Sequence, residues 1–154
     1  MKFAKTSENT AVKNTPKNTP IKVVVDVNVW GSFLRKDSSE NRCRLFMQPP
    51  CLLLYSDALL SELDEVVHRP KHWNVIEHSK YERLLMLIKD IGTKVNVQSI
   101  VTDCADPKDN YLLALAEDGG AAFIITGDKK VQAIKQFGAT KIASLTEFAN
   151  LFSV

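Results

Sequence analysis

"FIITGDKKV", Phe123 to Val131, decides how this chain is read. A short apolar run stops at Thr126-Gly127-Asp128, and two lysines follow at once. An apolar run ended by a glycine reads as a strand buried on both faces, the kind found in parallel sheets. "IKVVVDVNVW", Ile21 to Trp30, repeats the pattern, with Asp26 at the exit of the run. The question is whether the two aspartates meet.

Working outward, β-branched runs alternate with helical patterns from Ile21 onward. "IKVVVD", "CLLLYS", "TKVNVQ", "AAFIIT" and "TKIAS" read as five strands. Helices are expected around Trp30–Leu34 and Arg42–Met47, and in "DALLSELDEVVHR", which ends at Pro70. Further helices are expected in "YERLLMLIKDI", "PKDNYLLALAEDG", "KKVQAIKQF" and "TEFANLF". Strands alternating with helices imply right-handed crossovers, hence a three-layer α/β/α fold around a central, mostly parallel five-stranded sheet.

Residues 1–20, "MKFAKTSENTAVKNTPKNTP", have a different texture. They hold too little apolar material to offset the entropy of ordering, so they read as a disordered basic tail before a single domain, 21–154. The tail carries four lysines against Glu8, a charge of +3 within a chain total of +2. The remainder is therefore −1, and nucleic-acid contact would need a local basic patch or the tail itself. With 154 residues, 45% hydrophobic and 25% charged, the chain can bury a core without staples. Cys43, Cys51 and Cys104 form no paired motif and read as free thiols. No apolar run approaches a membrane span and no hydrophobic leader follows the first lysines, so a cytoplasmic protein is expected.

Ligands of an open parallel sheet bind beyond the carboxyl ends of its strands. Asp26 follows "KVVV" directly and Asp128 follows "FIIT" by two residues, so both belong at that edge. The plainer reading is that each caps the turn or helix that follows. In "DPKDNYLLALA", Asp106 reads as an N-cap with Pro107 at the first helical position. Asp109 is less well explained by capping and can face the same crevice. On "DALLSELDEVVHR", with Leu59 at 0° and ~100° per residue, the apolar stripe runs from about 340° to 100°. Glu62 and Asp64 fall at its two margins and Glu65 faces solvent, so periodicity leaves Glu62 and Asp64 both open.

Four converging carboxylates need protons or a cation to be tolerated. All-oxygen ligands select a hard ion, Mg²⁺ or Mn²⁺, which suits metal-assisted phosphodiester hydrolysis. His68 and His72 are four apart, but Pro70 lies between them and zinc is not expected. Trp73 is a candidate for base stacking, whereas Trp30 lies in an apolar helix and reads as core.

"VVVDVNVW", "LLSELDEVVHRPK" and "DPKDNYLLALAEDGGAAFIITGDKKV", in this order and spacing, resemble the PIN-domain ribonucleases. The nearest likeness is to the branch that supplies the toxins of bacterial toxin–antitoxin systems, and it runs from about Lys22 to Phe148. The resemblance implies Asp26, Glu62, Asp109 and Asp128 as metal-binding and catalytic acids, with Asn28 and Thr126 in support. It also implies Mg²⁺- or Mn²⁺-dependent endonucleolytic cleavage of RNA, a homodimer and a small antitoxin partner. Val27 and Lys130 depart from the usual pattern without removing a ligand. Arg69, Lys71, Lys129 and Lys130 flank the acids and are candidate RNA contacts. Haloacid-dehalogenase-like phosphatases share the first aspartate but need an acid where Asn28 stands. A non-catalytic RNA- or protein-binding module is the other alternative.

Overall fold

The computed structural model describes residues 19–38 and 41–152. The expected disordered tail lies almost wholly outside the described residues. The first strand, β1 (Ile21–Val25), has Val23, Val24 and Val25 fully buried. Successive strand residues point to opposite faces, so burial of all three means that both faces of the sheet are covered. Helix α1 (Val27–Phe33) follows at once. A short 3₁₀ turn, Asn41–Leu45, stands where a helix over Arg42–Met47 was expected. Strand β2 (Cys51–Tyr55) leads into α2 (Asp57–Val67), whose N-cap Ser56 accepts a hydrogen bond from the Leu59 amide at 3.1 Å.

The helix expected to run to Pro70 ends at Val67, and Pro70 opens a separate short helix, α3 (Pro70–Trp73). Proline suits that place because its missing N–H belongs to a position with no intrahelical partner. Helix α4 (His78–Ile91) packs against β2 and stops at Gly92. A Cβ at Gly92 would stand 2.6 Å from the Ile88 carbonyl oxygen and 3.0 Å from the Tyr55 ring, so only glycine lets the chain turn there. Strand β3 (Thr93–Lys94) is shorter than "TKVNVQ" suggested. The chain beyond is held otherwise, with the amides of Gln98 and Ser99 donating to Asp118.

A 3₁₀ turn, Pro107–Asp109, leads into α5 (Asn110–Gly119), which lies across β1, β2 and β4 (Phe123–Ile125). Helix α6 (Lys129–Gln132) is a single turn, not the nine-residue helix "KKVQAIKQF" suggested. Lys135 adopts a positive φ of 66° and Gly138 one of 60°, which end the helix and fold β5 (Gln136–Phe137) back on β6 (Thr140–Ala143). Helix α7 (Leu145–Phe152) closes the chain against β6.

The sheet order is β3-β2-β1-β4-β6-β5, parallel throughout except for the β5–β6 pair. Among the described residues it thus has six strands where five were expected, because β5 falls in the stretch read as the end of a helix, while β6 stands where the strand "TKIAS" was expected. The mostly parallel α/β architecture itself is as expected. Trp30 is fully buried among Phe33 and Phe46, which makes it core as read from the sequence.

Register fixes the functional edge. Val25 pairs with Ile125, so the next residues on each strand, Asp26 and Thr126, emerge side by side at the carboxyl end. The Asp26 amide continues the ladder onto the Ile125 carbonyl at 2.9 Å. No helix among the described residues is long and apolar enough to cross a membrane.

Candidate active site

Asp26 is 4% exposed, at the carboxyl end of the strand with the most deeply buried neighbours. As N-cap of α1 its side chain forms no capping bond, so the plainer reading does not account for it. Oδ2 instead accepts a hydrogen bond from the Thr126 hydroxyl at 2.7 Å. Burial pushes the Asp26 carboxyl above its ordinary value, and the Asp128 charge adds to that. Thr126 and the nearby Val27 and Asn28 amides pull the other way.

Thr126 also accepts from the Asp128 amide at 3.0 Å. One buried hydroxyl therefore ties the first acid to the backbone of the last. Asp128 does cap its helix, accepting from the Lys130 amide through Oδ1 at 2.8 Å. The capping reading is right for one oxygen of this carboxylate. The loop is fastened twice more: the Gly127 amide donates to Asn28 Oδ1 at 3.2 Å, and Gln132 Nε2 donates to the Thr126 carbonyl at 2.7 Å.

Asp106 and Asp109 divide as the sequence suggested. Asp106 accepts from the Lys108 amide at 3.1 Å and is spent on its turn. Asp109 forms no capping bond. Partial burial, then the charges of Asp128, Asp26 and Asp106, push its carboxyl up to about 6, and a carboxyl–carboxyl hydrogen bond to Asp128 favours the proton further. Asn110 anchors this corner by accepting from the Cys104 amide at 2.8 Å. The Cys104 thiol is pushed up to about 11, first by burial and then by Asp109, Asp103, Asp128 and Asp106. A neutral thiol beside a hard-oxygen cluster is a structural group, not a nucleophile.

Asp64 and Glu62, which periodicity left open, part company here. The Tyr81 hydroxyl of α4 donates to Asp64 Oδ1 at 2.7 Å, which turns Asp64 to the far side of α2. The charge of Glu62 falls on Tyr111 together with those of Asp26 and Asp109, and burial and all three charges raise the Tyr111 phenol. Tyr111 thus stands among the acids, and sequence reasoning missed it. The one available signal was its place two residues after Asp109, which an apolar helix reading absorbed.

The charges of Asp128 and Asp26 reach Asp109 and that of Asp128 reaches Asp26, while Glu62 is linked to the group by its charge on Tyr111. Among the described residues, however, no three His, Cys, Asp or Glu side chains are gathered as they would be around a bound ion. Glu62 faces Arg69, with Nη2 at 3.8 Å from Oε2, and Arg69 also reaches Glu65 at 3.6 Å. Arg69 therefore spends its charge on two acids, while Lys71, Lys129 and Lys130 are exposed. His68 and His72 bind separate backbone carbonyls, those of Asp64 and Val66.

As a donor set, the buried Asp26 carboxylate and the partly buried Asp109, both raised by burial and by neighbouring carboxylates, fit a hard divalent cation. A bound cation would offset the repulsion that raises Asp26 and Asp109.

Compared with known proteins, residues 22–130 match the family model described as the PIN domain, and the chain belongs to that family. No curated protein matches the chain. PIN domains are typically nucleases and generally use a divalent metal. The matched span contains all four acids.

Proposed function

We propose that this chain is a Mg²⁺- or Mn²⁺-dependent endoribonuclease and the toxin of a toxin–antitoxin pair. The observation that carries the nuclease reading is the buried Thr126 hydroxyl, which joins Asp26, itself 4% exposed, to the Asp128 amide at the carboxyl edge of the sheet. Asp26, Glu62, Asp109 and Asp128 would hold the ion. When bound, Mg²⁺ or Mn²⁺ supplies Lewis-acid polarisation of a phosphate and a more acidic water.

The chain's own residues do the rest. Asp26 is held by Thr126, so its carboxylate has a fixed place at the strand exit. Asn28 holds the Gly127 amide and so keeps the Asp128 loop against α1. Asp109, with a carboxyl near 6, gives up its proton easily to a competing cation at neutral pH. Lys129, Lys130 and Lys71 would meet the phosphates on either side of the cut, and Arg69 would orient Glu62. Part of the toxin reading is a homodimer, for which Met86, Leu87 and Ile91 on α4 offer exposed apolar surface, and a small antitoxin partner.

A non-catalytic RNA- or protein-binding module is the second reading, favoured by the absence of three gathered carboxylates among the described residues. A closed circular single-stranded RNA separates the two. Conversion of circles to linear strands in Mg²⁺ or Mn²⁺, blocked by EDTA, is the outcome expected of the endonuclease. Circles that stay intact in both metals while still being bound would leave the module.

A further inference from the structure

A cleft of about 260 Å³ opens between α1 and the α2–α3 corner, lined by Asn28, Gly31, Ser32, Arg35, Val66, His72, Val75 and Ile76. Asn28, the residue that holds the Asp128 loop, is part of its lining. We infer that this cleft is a nucleotide subsite that receives the residue of single-stranded RNA next to the scissile phosphate, with Arg35 and His72 as its polar contacts. The inference rests on the nuclease reading and names where that nuclease would take its substrate.

Three features support this occupant. The first is continuity: Asn28 belongs both to the cleft and to the acidic edge, so a strand whose phosphate lies at Asp26 and Asp128 runs into the cleft at the next residue. The second is the chemistry of the walls. Val66, Val75 and Ile76 form an apolar side suited to a base face, and Arg35 and His72 supply the polar side. Arg35 Nε donates to Asp37 Oδ1 at 3.2 Å, with side chains 47% and 75% exposed. A pair so open to water is weak, and a phosphate can compete for the guanidinium. His72 donates from Nδ1 to the Val66 carbonyl at 3.1 Å, which in the neutral ring leaves Nε2 as an acceptor for a base amino group or a ribose 2′-hydroxyl.

The third feature is the glycine. A Cβ at Gly31 would meet nothing within 4 Å. Glycine lowers helix stability relative to alanine, and no close neighbour or positive φ requires it here. What it does provide is an open wall in mid-helix, facing space a base can use.

Filling that space is the test. The chain carrying Asp26→Asn is expected to bind RNA without cutting it, so affinity can be read alone, by fluorescence anisotropy of a labelled single-stranded RNA octamer in Mg²⁺. Adding Gly31→Leu is expected to weaken binding about tenfold, the loss of one stacked base. Adding Arg35→Ala is expected to reduce the slope of log affinity against log salt by about 0.7, one phosphate contact. The same bulk in the cleft at the opposite sheet edge, Ala139→Leu, should leave affinity at the Asp26→Asn value. Thermal melting checks that each variant is folded. Equal affinity for Gly31→Leu and Ala139→Leu would overturn the subsite. The nuclease reading stands or falls separately, on whether the unmutated chain cuts the octamer in Mg²⁺ or Mn²⁺.

Discussion

The Thr126 hydroxyl donates to Asp26 across a hundred residues of chain, at 2.7 Å, and accepts from the Asp128 amide at 3.0 Å. It is fully buried, and it makes one unit of two acids that arrive on different strands. The β1–β4 register puts it there, since Val25 opposite Ile125 leaves Asp26 opposite Thr126.

Thr126→Val keeps the shape and removes the hydroxyl. The buried Asp26 carboxylate then loses its 2.7 Å hydrogen bond from a hydroxyl, at a cost of about 1–3 kcal/mol. Urea unfolding should show that loss, and Thr126→Ser should recover most of it. With the largest of its lowering partners gone, Asp26 also rises further above its ordinary value.

Stability of the metal-free chain should depend on pH through Asp109. Its folded value of about 6 lies above the ordinary 3.8, so the folded state binds the proton more tightly than the unfolded chain does. That contribution is fully present below about 3.8 and is lost as pH rises through about 6. In EDTA, Asp109→Asn should therefore flatten the fall in melting temperature between pH 4.5 and 7.5 relative to the wild type. Identical profiles for the two proteins would contradict the assignment.

Metal should act in the opposite sense. A divalent ion competes with the protons on the cluster, so Mg²⁺ or Mn²⁺ should raise the melting temperature by a few degrees at pH 7.5 and less at pH 5.5. Asp26→Asn and Asp109→Asn should each reduce the rise, while Asp64→Asn, whose carboxylate serves Tyr81, should leave it in place.

The sequence carried the parallel core well, because three consecutive buried valines in β1 allow no reading other than a strand covered on both faces. It also placed Asp26 and Asp128 at one edge, since a strand exit is legible from where the apolar run stops. It misread residues 133–137. The "KKVQAIKQF" pattern has helical spacing, but a positive φ at Lys135, which no lysine announces, turns the chain into a hairpin. "TKVNVQ" kept its alternation yet pairs for only two residues, because sheet pairing depends on a neighbour that local pattern does not contain. In the site, periodicity could not separate Glu62 from Asp64, for the deciding contact comes from Tyr81 on another helix. Tyr111 among the acids was hidden for the same reason.

The most direct measurement is cleavage of one RNA by the wild type, Asp26→Asn and Asp128→Asn, with Mn²⁺ and with EDTA. The expected result is cutting by the wild type in Mn²⁺ alone, lowered at least a hundredfold in both variants. Cutting that survives EDTA, or that Asp26→Asn performs as well as the wild type, would contradict a metal-dependent nuclease centred on these carboxylates.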